Sequence, residues 1–317
     1  MAPNPPHSPA SPGKILVVTP SKNEEAYLPK TIACMEAQTR KPDLWILVDD
    51  GSTDDTGKIA DEAAARHPDW IRVLHRPGGV ARRVGPGVVE AFYAGLDLVD
   101  LEEFEFLCKL DGDLEFGPGL FEGLLRKGRE DPRLGTWSGK FWERDDSGTL
   151  RLYRTGSEFT VGACKFYRRK AFQEIGGFVR EVMWDGIDCH RCRMRGWKAK
   201  SFPDPELKIV HMRPMGSSSK SIFHGRRRWG WGQYFMGTHP LYLLGIAFYR
   251  LWERPYILGG LNIFLGYFYA WITGAPRYED EEFRRFLRSW QLKRLGLGFL
   301  SGRGGGKVHG TGSEEPA

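Results

Sequence analysis

The feature that most constrains this chain is an alternation repeated four times before residue 111. Short apolar runs at Lys14–Pro20, Leu44–Val48, Ile71–Leu74 and Phe104–Leu110 are separated by segments with apolar residues at helical spacing, such as Leu28, Ile32, Met35 and Val89, Phe92, Leu96, Val99. Runs this short, rich in Val, Ile, Leu and Phe, predict strands buried on both faces. Strand and helix in strict alternation predict a parallel sheet joined by crossover helices, an α/β fold. Ligands of such sheets bind beyond the carboxyl ends of the strands. The polar residues Glu24, Asp50, Asp111 and Asp113 all follow such ends. Ser21 to Glu24 and Ser52 to Asp55 have capping-box spacing, which predicts helices starting there, the second running to about Ala65.

Beyond residue 134 the pattern is mixed. Strands are predicted at 136–142, 150–153 and 206–212, a short helix at 168–175 stopped by Gly176-Gly177, and another at 188–195. A chain of 317 residues can bury one large core with an appendage. The expected division is a lead at 1–13, a catalytic domain at 14–235, an apolar and basic helical region at 236–300 and a Gly-rich tail at 301–317. Residues 1–13 are rich in Pro, Ser and Ala without the apolar centre of a signal peptide, and read as disordered, as does the tail.

Five cysteines are an odd number, which predicts reduced thiols and a cytoplasmic protein. Cys189 and Cys192 have C-x-x-C spacing, but no second pair completes a zinc site. The net charge of +6 is concentrated in Arg226-Arg227-Arg228 and in Arg284, Arg285, Arg288, Lys293 and Arg294, suited to phosphates or an anionic membrane surface. No nucleic-acid-binding motif accompanies it, and no nucleic acid partner is expected.

Asp111-Gly112-Asp113 carries the chemistry. Two carboxylates one residue apart at a strand end can hold a divalent cation and sugar hydroxyls together. The triplet alone occurs by chance in surface turns; its weight comes from Glu24 and Asp50 after earlier strands. His211, just after a predicted strand, is a third metal ligand, a phosphate contact or a structural histidine. No G-x-G-x-x-G follows the first strand, which argues against a dinucleotide enzyme. Ser21-Lys22-Asn23 is not the Gly-rich phosphate loop of a nucleotidyltransferase.

Four stretches together resemble the family 2 glycosyltransferases. They are Pro20-Ser21-Lys22-Asn23-Glu24; Val48-Asp49-Asp50-Gly51-Ser52-Thr53-Asp54; Asp111-Gly112-Asp113; and Gly176-Gly177-Phe178 followed by Trp184-Asp185-Gly186-Ile187-Asp188 and Arg195-Gly196-Trp197. The resemblance covers about residues 14–235. It implies a GT-A fold, a Rossmann-like, mostly parallel sheet flanked by helices, here with a C-terminal apolar helical appendage. It also implies a metal-dependent, inverting transferase using a nucleotide-diphosphate sugar. UDP is the expected carrier, with GDP open. Thr19, Pro20, Glu24 and Asp50 would line the nucleotide pocket, Asp111 would hold the ribose or bridge to the metal, and Asp113, with His211, would bind Mg²⁺ or Mn²⁺. Asp185 would be the general base, with Asp188 the alternative. Trp184 stands where the family often has Glu.

Arg213-Pro214-Met215-Gly216-Ser217-Ser218-Ser219-Lys220 resembles a segment of the polyprenyl-phosphate sugar transferases with one residue more, which implies that Arg213 and Lys220 clamp the diphosphate. The ordered motifs, with the basic and apolar C-terminal part, lead to the expectation of a lipid-linked or cell-surface glycan acceptor. A non-catalytic sugar-nucleotide-binding protein and a sugar nucleotidyltransferase are the rival readings.

Tyr256 to Ala275 is uncharged and aromatic-rich, and Leu241 to Trp252 is a shorter apolar stretch. Twenty residues suffice for a span, but dense basic flanks on both sides disfavour a single crossing. The expectation is a peripheral pair of helices on the cytoplasmic face of a membrane. Packing on the catalytic domain and a homodimer interface are the alternatives.

Overall fold

The structure is a computed structural model that describes residues 13–78, 85–144, 148–213, 222–252 and 256–300. The four predicted strands are present as β1 (Ile15–Ser21), β2 (Leu44–Asp49), β3 (Ile71–His75) and β4 (Phe106–Leu110), with α1 (Leu28–Glu36), α2 (Thr56–Arg66) and α3 (Pro86–Leu96) between them. They pair in parallel in the order β4-β1-β2-β3. All seven residues of β1 are buried. Alternation along the strand sends Ile15 and Val17 to a core shared with Leu28, Ile32 and Met35 of α1, and Leu16 and Val18 to a second core shared with Val89 and Phe92 of α3.

Next come β5 (Leu114–Phe116), α4 (Leu120–Glu130), β6 (Leu134–Gly139), β7 (Phe141–Arg144), β8 (Leu150–Leu152), β9 (Cys164–Arg168), α5 (Arg169–Glu174), α6 (Trp184–Met194), β10 (Lys198–Phe202) and β11 (Ile209–His211). The large sheet continues past β4 as β9, β6 and β10. β9 runs antiparallel between β4 and β6, a strand the sequence pattern did not disclose. A second sheet has the order β5-β11-β7-β8. Its antiparallel β5–β11 pair sets His211 opposite Leu114, beside Asp113.

The capping-box expectation at Ser21–Glu24 fails. Ser21 is still in β1, and α1 begins at Leu28 with no side-chain cap. Asn23 turns the chain at φ 54°, and this loop bonds to the loop after β2 instead: the Asn23 N–H donates to Ser52 Oγ at 3.0 Å, the Thr53 N–H to Asn23 Oδ1 at 2.9 Å, and the Glu24 N–H to Thr56 Oγ1 at 2.7 Å. Ser52 is thereby engaged, and α2 starts later than expected, at Thr56.

The chain divides between 215 and 216 into two compact units. The second contains α7 (Ile222–Met236), α8 (Pro240–Tyr249), α9 (Leu258–Ile272) and α10 (Glu281–Arg294). Helix α7, placed with the catalytic domain by sequence, belongs to this second unit. Gly230 and Gly266 let α7 and α9 touch backbone to backbone, since a Cβ at either would lie 2.0 Å from the carbonyl oxygen of Ile263 or Arg227 respectively. Tyr234, Leu243, Ile263, Tyr267 and Ala270 form the core. Among the described residues no helix is long and apolar enough to cross a membrane. The uncharged run from Tyr256 yields in α9 only 15 helical residues, about 22 Å at 1.5 Å per residue against roughly 30 Å of hydrocarbon. The described helices of this second unit thus share a core of their own.

Candidate active site

The loops after β1, β2 and β4 lie side by side because their strands are neighbours. The Asp50 N–H donates to the Ser21 carbonyl at 2.8 Å, Lys22 Nζ donates to the Asp50 carbonyl at 2.8 Å, and Arg76 pairs with the Asp50 carboxylate. Thr19 and Pro20 are buried in β1, and the Thr19 hydroxyl accepts from Trp45 Nε1 at 2.9 Å. That hydroxyl is therefore held in the core rather than brought to the cluster.

Beyond β4 the structure gathers Asp111, Asp113 and His211, with one ligand atom of each within 4.8 Å of the others. Asp113 is 2% exposed, and its Oδ1 has no hydrogen-bond partner among the described residues. His211 Nε2 lies 3.7 Å from that oxygen. The other ring nitrogen, Nδ1, donates to the Arg213 carbonyl, which turns Nε2 toward Asp113. A buried, unpartnered carboxylate oxygen beside an imidazole nitrogen and a second carboxylate is a donor set that fits Mg²⁺ or Mn²⁺.

Arg213 ties the cluster to the first loop. Its Nε donates to Asp113 Oδ2 at 2.7 Å and its Nη2 to Glu24 Oε1 at 2.7 Å, and the guanidinium lies 5.3 Å over the Tyr27 ring. Burial presses the guanidinium pKa down, but Asp113 and Glu24 outweigh burial and raise it. Lys220 lies outside the described residues.

The Asp111 N–H donates to the Ala163 carbonyl at 2.8 Å, and its carboxylate pairs with Lys109, a buried lysine in β4. Burial pushes the Asp111 carboxyl above the ordinary range, with Lys109 opposing and Asp113 adding to the rise. Lys109 Nζ also donates to the Gly162 carbonyl at 2.7 Å and sits 5.4 Å over the Trp184 ring. Gly162 in turn abuts Asp185, since a Cβ there would meet Asp185 Oδ2 at 3.0 Å. Asp111 and Asp185 thus approach one another through Lys109 and Gly162.

Asp185 is half-buried in the first turn of α6, where helix N–H dipoles favour an anion, and its carboxylate has no partner among the described residues. Asp188 is 1% exposed, its carboxylate 2.7 Å from Lys165 Nζ and bonded by the Tyr167 hydroxyl. Burial raises the Asp188 pKa, with Lys165 and Tyr167 pulling it back. Burial, the largest single influence, favours the neutral form of Lys165, but Asp188, Cys189 and Asp185 together outweigh it and raise its pKa. Lys165 Nζ also donates to the Asp185 carbonyl at 2.8 Å, pinning the turn that carries Asp185. Sequence reasoning missed Lys109 and Lys165. The one available signal was a lysine inside the otherwise apolar run of β4.

Below the loops, His75 bridges Asp49 at 3.1 Å and Asp61 at 2.9 Å, and these bonds raise its pKa. Asp49 is pushed up by burial, but bonds from Ser52 and His75 leave it lowered. A raised histidine pKa stabilises the fold fully below about 6.5, the unfolded value, and the contribution disappears as pH rises through the folded value. An NMR titration should place the His75 midpoint above that value in wild type and return it toward it in Asp49→Asn. An unshifted wild-type midpoint would refute the bridge.

With this geometry in hand, the chain can be set beside known proteins. The family model for glycosyl transferase family 2 matches residues 16–176. A polyprenol monophosphomannose synthase of Mycolicibacterium smegmatis is 34% identical over 113 residues, covering 35% of this chain and 40% of that protein. An undecaprenyl-phosphate 4-deoxy-4-formamido-L-arabinose transferase of Shewanella sediminis is 31% identical over 188 residues, covering 58% of this chain and 48% of that one. The matched stretch therefore spans less than half the length of these two relatives. A mannosyltransferase of Pyrobaculum calidifontis, solved in complex with GDP-Man and Mn²⁺, superposes with a TM-score of 0.53 over 96% of this chain and 80% of that one, at 16% identity. At that identity the likeness is one of fold, a GT-A-like α/β architecture. The ordered strand-end motifs, the sheet that aligns them and the family match over half the chain together make this protein a glycosyltransferase, a member of glycosyl transferase family 2.

Proposed function

We propose that this enzyme transfers a sugar from a nucleotide-diphosphate sugar, UDP-linked in the first instance, to a hydroxyl of a lipid-linked or cell-surface glycan acceptor. It does so with a divalent cation, with inversion, and at the cytoplasmic face of a membrane. The observation that carries the reading is the buried, unpartnered Asp113 Oδ1 beside His211 Nε2 and Asp111, beyond the carboxyl end of β4. The relatives named for polyprenyl-phosphate substrates support the lipid-linked acceptor.

Asp113 and His211 would hold Mg²⁺ or Mn²⁺, with Asp111 at the ribose side or bridging. The cation, when bound, neutralises charge on the departing diphosphate. Glu24 and Asp50 accept from the nucleotide. Arg213, already forked between two carboxylates, is a donor set suited to the diphosphate. Asp185 takes the proton from the acceptor hydroxyl as its oxygen bonds to the anomeric carbon. The bond from that carbon to the diphosphate oxygen breaks on the opposite face, and its electron pair leaves with the diphosphate.

A thermal-shift screen of UDP-, GDP- and dTDP-sugars with and without Mn²⁺ tests this. One donor should stabilise the protein by about 2.7 kcal/mol at a hundred times its Kd, and only with metal present. GDP belongs in the screen because the Pyrobaculum enzyme was solved with GDP-Man. If no donor shifts the melting temperature under either condition, the reading falls.

A further inference from the structure

The second unit carries an apolar surface that its own fold leaves uncovered. Along α9, Leu258, Leu261, Leu265, Tyr269 and Ile272 recur at helical spacing and are between 43% and 81% exposed. The opposite side of the helix, with Ile263, Tyr267 and Ala270, is buried in the unit's core. Helix α8 repeats the arrangement. Its Leu243 joins the same core, while Leu241, Leu244 and Phe248 are exposed. The two helices touch where Gly260 meets the Ala247 carbonyl. Both stripes therefore turn away from one core. Exposed Tyr249, Trp252, Tyr256 and Trp271 lie at the ends of these helices.

We infer that the outer faces of α8 and α9 form a docking surface that seats this enzyme in the plane of an anionic lipid bilayer without crossing it. A contiguous apolar face of this kind on a water-exposed helix pair marks an interaction site. Its occupant follows from charge. Between Ile222 and Tyr278 the described residues include five arginines (226, 227, 228, 250 and 277) and no Asp or Glu. The full sequence adds one residue of each sign there, Glu253 and Arg254. Arg227 lies 5.6 Å over the Tyr269 ring, so a cation borders the apolar stripe itself. A second copy docking through this face would bring the same net positive charge, Arg227 included, toward its partner, whereas an anionic surface is attracted to it. An anionic headgroup layer takes the cations, its acyl boundary takes the Leu and Ile stripe, and Tyr and Trp suit the depth between them. Among the described residues no helix is long and apolar enough to cross a membrane, so the seating inferred is on the bilayer and not through it. The purpose of the surface, though not its existence, rests on the lipid-linked acceptor proposed above.

The test is co-sedimentation of the full chain with vesicles of phosphatidylcholine, with and without phosphatidylglycerol. Binding should be stronger with phosphatidylglycerol and weaken at high salt. The double substitution Leu261→Asp with Leu265→Asp, at exposed positions, should weaken it by roughly tenfold or more. The variant should keep the wild-type melting temperature and the same shift with donor sugar and Mn²⁺. Absence of vesicle binding by the wild type, or equal binding by the variant, overturns the inference. A dimer in analytical ultracentrifugation that the double variant dissociates overturns it too, and assigns the face to a second copy. Vesicle binding without any donor-induced shift would leave the docking surface standing and remove the donor reading instead.

Discussion

Asp185→Asn is expected to lower kcat by roughly 10² to 10⁴-fold while the donor-induced thermal shift stays at its wild-type size. The expectation rests on a contrast between two carboxylates three residues apart on one helix. Asp185 is half-buried, lacks a partner among the described residues, and lies against Gly162, whose carbonyl is held by the same lysine that pairs with Asp111. In the proposed mechanism it is the group that takes the proton. Asp188 has both oxygens engaged, by Lys165, Tyr167 and the Cys189 N–H, and is sealed from solvent. An asparagine at 185 keeps size and polarity but cannot accept a proton, so binding survives and chemistry does not. The companion variant Asp188→Asn should lower stability more than turnover. Wild-type turnover in Asp185→Asn would end the assignment. Loss of turnover in Asp188→Asn at an unchanged melting temperature would move the base to Asp188.

The second large effect is on stability. Lys165→Met should destabilise the first unit by about 3–5 kcal/mol, because it leaves a buried carboxylate without its counter-charge. Both members of the pair are essentially inaccessible, Lys165 at 0% and Asp188 at 1%. The lysine also donates to Thr160 Oγ1 and to the Asp185 carbonyl, each at 2.8 Å, so its loss strips three groups of a donor at once. Combining Lys165→Met with Asp188→Leu removes both charges and should restore a large part of the loss. Urea denaturation of the single and double variants measures this. A single variant within about 1 kcal/mol of wild type, the range of exposed pairs, would mean that the pair is solvated. Because Lys165 fixes the first turn of α6, the single variant should also lose turnover beyond what its folded fraction explains.

The core strands were legible because burial on both faces forces an unmistakable composition. Leu16-Val17-Val18 and Trp45-Ile46-Leu47-Val48 can only be central strands of a covered sheet. β9 was not legible. Cys164-Lys165-Phe166-Tyr167-Arg168 carries two basic residues, and the reason Lys165 is tolerated lies in α6, on Asp188. The capping signals misled because Ser21 is still in β1 rather than at a helix start, and Ser52 Oγ accepts from the Asn23 N–H of the neighbouring loop rather than capping its own helix.

The sequence by itself determined that this chain would align Glu24, Asp50, Asp111 and Asp113 along one edge of a parallel sheet, since strand periodicity and crossover connections leave no other place for them. Only the tertiary structure brought further groups to that edge. His211 reaches Asp113 because β11 pairs antiparallel with β5, and Asp185 reaches the same edge because α6 packs beside the loop at Gly162. Both depend on pairings between residues far apart in the chain. Their free energy comes from burial and hydrogen bonds made only on folding, and local residue pattern carries no record of them.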